Sequence, residues 1–428
     1  MAINPGTKTK DRLLDKLNDH GASAIADHLP DNMGGTIIVS KFSGWGSLVT
    51  IIPLLDAIKN RFPQSSIILL THKKNEEFTK ILPQVTKTIL FSKPGLANFL
   101  KSPFSFWKKI RILRLEKPRL FIDLQIHTHQ SLSMLLSLLS GASIRVGLKS
   151  SPNRARDRFL THSIYFNRHQ PLYAVFRQVG NLLELGPLPH SPKIPIIFSS
   201  KEQDRVLEKL DLPDPQKRLI VINPNASRLS HERRWPRTHF IKLIEGFLRK
   251  FPETNVVFPG GPGEYQYNEP ILESFSDSGY TMRNVAGQLT LQETAALLKK
   301  ASLFLTNDSG PLHLALALGT PTVAMFGPTH PDLILYRPNP PKSIFLYEPI
   351  YCSPCLHHTP TPPCAGDNKC IQAITPESVL FAMESLLTGP KKDPGPQEWR
   401  FNPARYSPQN ERQIPGLIQD SIIKIKTR

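Results

Sequence analysis

The stretch TNDSGPLHLALALGTPTVAMFGPTHP, residues 306–331, sets Asp308, Ser309, Gly310, Pro311 and His313 close together just before an apolar run. An acid, a hydroxyl, a glycine and an imidazole at that spacing can hold an anion and balance its charge. Residues 301–306, ASLFLT, form an apolar run of strand length, and residues 313–319, HLALALG, carry the Leu and Ala content of a helix that stops at a glycine. Residues 322–326, TVAMF, are strand-like again. Strand, polar turn, helix and strand in that order make a βαβ unit, hence a parallel sheet with loops at its carboxyl edge. Pro311 suits the first helical turn and Ser309 the N-cap. Free N–H groups at that helix start would point into the crevice where open α/β sheets take ligands, and they favour phosphate. A capped helix without a ligand would need only Ser309; Asp308 and His313 are surplus to it.

Further patches in the same half suit the same ligand. NPNASRLSHERRWP, residues 223–236, leaves a strand with Asn225 and Ser227 on a loop and brings Arg233 and Arg234 to the start of a helix. Arginine forks bind phosphate through two parallel hydrogen bonds. PGGPGE, residues 259–264, lets backbone approach a ligand closely, and Glu264 can accept from ribose hydroxyls. Each patch alone also fits an ordinary turn or a wetted surface. Their succession at consecutive strand ends points to one phosphate-bearing ligand.

The elements that must position these residues form two halves. Residues 1–33 are a polar extension holding DRLLDKLNDH, a helix candidate. From residue 34 the order is TIIVSKF (36–42) as a buried strand, SGWGS as a turn, residues 48–62 as one helix despite Pro53, and SSIILLTH (65–72) as a strand. LFIDLQ (120–125) and ASIRVGL (142–148) are further strands, and LGPLPHSPKIP (185–195) is a linker. The second half repeats the pattern with LIVINPN (219–225), NVVFPGG (255–261) and the opening stretch. The expected fold is therefore α/β: two Rossmann-like doubly wound domains, 34–195 and 196–388, facing across a cleft, then a proline-rich basic tail over 389–428.

Composition bounds the partners. The chain has 428 residues, with 53 Lys+Arg against 35 Asp+Glu, a formal charge of +18. That charge favours phosphates, a membrane surface or nucleic acid without choosing among them. No recognition-helix or RNA-binding signature is present, which argues against a specific nucleic-acid partner. No run is long enough to cross a membrane, and the polar N-terminus does not resemble a secretion signal, so a cytoplasmic location is expected.

All four cysteines lie in CSPCLHHTPTPPCAGDNKC, residues 352–370, as C-x2-C-x8-C-x5-C around His357 and His358. In a reducing compartment the spacing suits a zinc or iron ion on Cys352, Cys355, Cys364 and Cys370, with a structural role far from the chemistry; a reduced structural loop is the alternative. Residues 98–121, NFLKSPFSFWKKIRILRLEKPRLF, mix aromatics with Lys108, Lys109, Arg111 and Arg114. They fit either an amphipathic helix on the first sheet or a membrane-surface patch.

The pattern resembles glycosyltransferase family 9, the ADP-heptose:lipopolysaccharide heptosyltransferases. The resemblance spans most of residues 36–385 and is carried by NDSGPLHLALALGTPTVAMFGPTHP, by NPNAS with RRWP, by GGPGE, and by AGQLTLQETAALLKKA (286–301). It implies a GT-B fold and an inverting transfer with no metal at the sugar-phosphate bond and no cofactor. It also implies a nucleotide-sugar donor, most simply ADP-heptose, and a glycolipid acceptor at the inner face of the inner membrane. Carried over by position, Asp308, Ser309, Gly310 and His313 surround the diphosphate, Ser227 and Arg233 contact phosphates, and Glu264 holds the ribose. Arg233 stands where the family commonly has lysine. Transfer of another sugar, a protein acceptor, or a catalytically impaired scaffold are the competing implications. The last has a specific basis: the family's general base is an aspartate after the second glycine of SGWGS, where this chain has Ser47. A hydroxyl orients an acceptor but does not take its proton near neutral pH. Asp123 in LFIDLQIHTHQ is the first substitute, with His127 and His129 behind it.

Overall fold

A computed structural model of the chain describes residues 29, 34–92, 103–126, 130–149, 159–166, 170–189, 191–194, 200–226, 231–336, 342–356 and 362–389. Ser227, His127, His129, His357 and His358 lie outside the described residues, as do most of the N-terminal extension and nearly all of the tail. Two compact units divide the chain, Met1–His190 and Ser191–Arg428.

In the first unit a six-stranded parallel sheet is built from β1 (Gly35–Ser40), β2 (Ser65–His72), β3 (Lys87–Phe91), β4 (Pro118–Asp123), β5 (Ile144–Lys149) and β6 (His162–Tyr165). Their order across the sheet is β3-β2-β1-β4-β5-β6. In the second unit β7 (Arg218–Asn223), β8 (Thr254–Phe258), β9 (Thr281–Asn284), β10 (Leu303–Asn307), β11 (Thr322–Phe326) and β12 (Ser343–Tyr347) repeat it as β12-β11-β10-β7-β8-β9. Read from the β9 edge, the winding is the same. Each sheet therefore has a point, between β1 and β4 or between β7 and β10, where successive connections diverge and a crevice opens at the carboxyl ends. The expected α/β class and the two doubly wound sheets are present.

Burial explains which segments became which strands. Ile37, Ile38 and Val39 of β1 and Leu303, Phe304 and Leu305 of β10 have no exposed surface, as befits strands covered on both faces. The core of the second unit packs Trp235, Phe240, Ile244 and Phe247 against Ile220, Phe258 and Leu305.

One helix differs from expectation. Residues 48–62 are not continuous: a short helix Trp45–Val49 gives way to Ile52–Arg61, with Pro53 in its first turn. Proline has no N–H for the preceding turn's carbonyl, so the chain breaks and restarts just before it. The helix Gly310–Leu318 ends as its glycine predicts, with Gly319 left-handed at φ 73. Among the described residues no helix is long and apolar enough to cross a membrane.

Candidate functional site

At the carboxyl end of β10 the chain turns through Asp308 and Ser309 into the helix Gly310–Leu318. Ser309 occupies the N-cap position in an extended conformation, but its side chain does not cap. Its hydroxyl instead accepts from Asn223 Nδ2 at 3.1 Å and meets Thr306 Oγ1 at 3.1 Å. The N-cap hydroxyl is thus used to tie β7 to β10, and the first helical N–H groups are left without it. Pro311 takes the first turn, as expected. Arg233, from the short helix His231–Arg233, reaches Asp308 with Nη1 to Oδ2 at 3.6 Å. Half-buried His313 lies within electrostatic range of both. Burial lowers its pKa, Arg233 lowers it further, and Asp308 opposes them. An acid, a guanidinium and an imidazole therefore converge at a helix start that has no side-chain cap, where the helix dipole and the guanidinium favour an anion.

Asn225, expected on the loop after β7, and Asn307, which the motifs did not single out, hold this arrangement. Asn307 Oδ1 accepts from the Trp235 backbone N–H at 3.1 Å, while its Nδ2 donates to the carbonyls of Pro224 at 2.9 Å and Asn225 at 3.3 Å. One buried amide thereby joins the end of β10 to the loop after β7 and to the segment carrying Arg233. Asn225 reaches the other way, donating to Asn268 Oδ1 at 3.0 Å. Their signal was present: an asparagine ends both β7 and β10, and a polar residue on a fully buried strand demands partners.

Glu264 and Arg234 have local duties. Glu264 Oε2 accepts from the Gly261 N–H at 2.7 Å and so braces the glycine turn after β8. A Cβ at Gly260 would stand 3.0 Å from that oxygen and 3.1 Å from Asn225 Nδ2, so the glycine is needed for close approach. Arg234 diverges from Arg233: its guanidinium lies 4.1 Å over the Tyr267 ring, with Arg237 over the same ring at 5.1 Å. The paired arginines of the sequence do not act as one fork.

At the equivalent place in the first unit the charged side chains are buried. Asp123, the last residue of β4, is buried, and its Oδ1 accepts from Ser40 Oγ at 3.0 Å, Ser133 Oγ at 2.7 Å and the Gln125 N–H at 3.1 Å. Its Oδ2 has no hydrogen-bond partner among the described residues. Desolvation pushes the carboxyl up to about 6 against the pull of those donors and of Lys41. Lys41 is buried as well, donates to the Leu124 carbonyl at 2.8 Å, and is brought down to about 8 by burial while Asp123 supports its charge. Ser40, Lys41 and Ser133 were not foreseen; the signal was SK at the end of an otherwise apolar strand. Ser47 sits half-buried in the short helix Trp45–Val49, where its carbonyl accepts from Thr50 Oγ1 at 2.8 Å.

The cysteines are free thiols, with Cys355 and Cys370 buried and Cys352 and Cys364 partly so. Burial and the neighbouring thiols push Cys355 up to about 11 and Cys370 to about 12. A cation would reverse that, so the donor chemistry suits a metal. The geometry does not yet: among the described residues no group of three or more His, Cys, Asp or Glu side chains stands where it could hold one. Nor is the loop remote from the site. The Cys355 N–H donates to the Pro328 carbonyl at 3.0 Å and Ser353 Oγ to the Gly327 carbonyl at 2.6 Å, just beyond β11, and Glu232 beside Arg233 acts on Cys355. The expectation of a site far from the chemistry is corrected, because the loop is packed on the strand next to β10.

Comparison with known proteins gives a consistent picture. The family glycosyltransferase family 9 (heptosyltransferase) matches residues 122–365. Lipooligosaccharide heptosyltransferase 2 of Campylobacter jejuni is 24% identical over 365 residues, 84% of this chain and 97% of the relative. Among solved structures, the Escherichia coli ADP-heptose lipopolysaccharide heptosyltransferase II aligns with a TM-score of 0.65 at 21% identity, covering 82% of this chain and 98% of the other. The E. coli heptosyltransferase WaaC with ADP-2-deoxy-2-fluoro heptose aligns at 0.57 and 17%, covering 82% and 99%. These structural likenesses extend to the GT-B fold.

Proposed function

Because this chain belongs to glycosyltransferase family 9 and is a glycosyltransferase, we propose that it moves heptose from ADP-heptose to the core of a lipopolysaccharide or lipooligosaccharide, with inversion at the anomeric carbon. The observation that carries the reading is the meeting of Asp308, Arg233 and His313 at the uncapped start of the helix Gly310–Leu318. The names of the relatives support the sugar and the acceptor; ADP as the carrier is supported by the ligand of the WaaC structure.

The acceptor oxygen attacks the anomeric carbon, the bond from that carbon to the diphosphate oxygen breaks, and ADP departs. Arg233 and the helix N-terminus stabilise the negative charge gathering on the diphosphate. Asp308 holds Arg233 in place, and His313, kept neutral by burial and Arg233, serves as a hydrogen-bond partner. Ser309, Gly310 and Pro311 shape the turn, Ser227 adds a phosphate contact, and Glu264 fixes the ribose side of the pocket through the glycine turn. Asp123 accepts the acceptor's proton through Oδ2. Its raised pKa of about 6 matches the task of a base near neutral pH. Ser47 orients the acceptor.

A second reading of Asp123 has its own support. Full burial and three donors on Oδ1 suit an anchor that locks the ends of β1 and β4. The pH profile of the Asp123→Asn variant separates the two.

The transfer needs no metal, and the protein works at the cytoplasmic side of the membrane carrying its acceptor. Zinc or iron on Cys352, Cys355, Cys364 and Cys370 is a separate structural proposal, which requires the thiols to close in. Metal analysis of protein purified without added metal should find one ion per chain; much less would remove it.

The deciding experiment incubates the protein with a heptose-deficient core acceptor and a panel of ADP- and UDP-sugars. Mass spectrometry should show one heptose added from ADP-heptose alone, undiminished by EDTA, and NMR should show an inverted anomeric centre. Transfer of a different sugar, or none, overturns the reading.

A further inference from the structure

The helix Pro103–Leu115 packs on the first sheet through Phe106, Ile110 and Leu113, which are buried. Its other face is not an ordinary solvated stripe. Phe104 is 84% exposed, Trp107 53% and Leu115 71%, beside exposed Lys108 and Arg111. Phe104, Lys108, Arg111 and Leu115 recur at helical spacing and so share one outer stripe. The helix contains no acid.

Lys109 is not part of this face. Its ammonium donates to the Leu90 carbonyl and lies 4.2 Å over the Phe91 ring, turned toward the sheet. The helix Gln130–Leu139 lies beside this one, and its Leu139 carbonyl accepts from Arg114 Nε at 2.9 Å. That neighbour, QSLSMLLSLL, has no charged residue, and its Leu138 is 40% exposed. Neither of these adjacent helices contains an acid, and each exposes apolar side chains.

We propose that this face docks the first unit on an anionic lipid bilayer, with Phe104 and Trp107 entering the interface and Lys108 and Arg111 meeting headgroup phosphates. Aromatic side chains flanked by lysine and arginine suit the boundary between headgroups and acyl chains. A nucleic acid would satisfy the two cations but leave Phe104 and Leu115 in water. An acidic peptide would do the same. The use of this docking, bringing the enzyme to a membrane-resident acceptor, rests on the glycolipid reading above; the docking itself does not.

Co-sedimentation of the full chain with phosphatidylglycerol/phosphatidylcholine vesicles tests it. Because the whole chain is strongly basic, the comparison needs a charge-matched control, and exposed Lys73 and Lys74 on the same unit provide one. Lys108→Gln with Arg111→Gln should weaken binding by about tenfold or more, whereas Lys73→Gln with Lys74→Gln should change it by about twofold or less. Phe104→Ser with Trp107→Ser should abolish the binding that survives about 0.5 M salt, where screening removes the electrostatic part. Far-UV circular dichroism checks that each variant is folded. Equal losses for the two lysine-containing pairs, or wild-type binding by both helix variants, would overturn the proposal. Docking variants should keep full transfer to a water-soluble acceptor fragment. A chain that docks yet transfers nothing sinks the proposed function and leaves the docking standing.

Discussion

In the first unit the register partners at the ends of the two central strands are Ser40 and Asp123; in the second they are Asn223 and Thr306. Both pairs sit where their sheet's connections diverge, and both are buried and hydrogen-bonded across the gap. The difference is where the charge lies. The first unit holds it inside the gap, with Asp123 and Lys41 each shifted toward neutrality by desolvation. The second fills the equivalent gap with neutral amides and hydroxyls and moves its charges, Asp308 and Arg233, one step beyond the sheet to the helix start. In the charged rim beyond that neutral scaffold Asp308 is buried as well, and Arg233 keeps part of its surface exposed. A carboxylate inside the gap instead tunes a proton site, because burying its charge is costly and its pKa rises.

The largest effect expected from breaking this contrast is on the charged rim. Arg233→Ala should lower kcat/KM by about 10²–10³ by removing a donor to the diphosphate, while Arg233→Lys, which restores the cation, should recover most of it. If alanine at 233 is harmless in steady-state kinetics, the rim is not the leaving-group site.

Asp123→Asn comes next, with a loss in kcat of about 10² at neutral pH if Asp123 is the base. The sign is definite: the base must be ionised, so the wild-type rate should rise with pH through about 6. The asparagine variant should lose the acid limb. A variant slowed at all pH values with that limb intact makes Asp123 an anchor and places the base elsewhere.

The neutral scaffold is tested through stability. Asn307→Leu leaves the Trp235 N–H and the Pro224 carbonyl without their partner and should cost about 2–3 kcal/mol in denaturant unfolding. A cost near zero would show that the amide is dispensable to the rim's geometry.

Ser47→Asp should give the smallest change, a gain in turnover of about tenfold or less if Asp123 is the base. No gain retires the idea that this loop has merely lost its carboxylate.

Sequence legibility follows the same physics. β1, β2, β4, β5, β7, β8, β10 and β11 are each covered by neighbours on both sides, and each was evident as an apolar run. β3, β6, β9 and β12 were not, and all four are sheet edges. Two of these edge strands carry the mixed sequences HSIY and TMRN, with at most one buried residue each, so no run of apolar residues announces them; the other two, KTILF and SIFLY, are apolar but short and lie outside the segments read as strands. In the site, Asp308, Ser309 and Arg233 were legible because turn chemistry and charge are local. The partner of the Ser309 hydroxyl was not, because Asn223 is distant in sequence and meets it only across paired strands.

By itself, then, the sequence determined the α/β class, the interior strands, the glycine-stopped helix and the run of Asp308, Ser309 and His313 at its start, all of which depend on neighbours along the chain. Only the tertiary structure decided that Ser309 ties strands instead of capping, that Arg234 turns to Tyr267, that Lys41 is buried beside Asp123, and that the cysteine loop packs next to the site. Each of these depends on what surrounds a group in space: desolvation, stacking and the competition for a hydrogen bond act between residues whose separation along the chain says nothing about their distance.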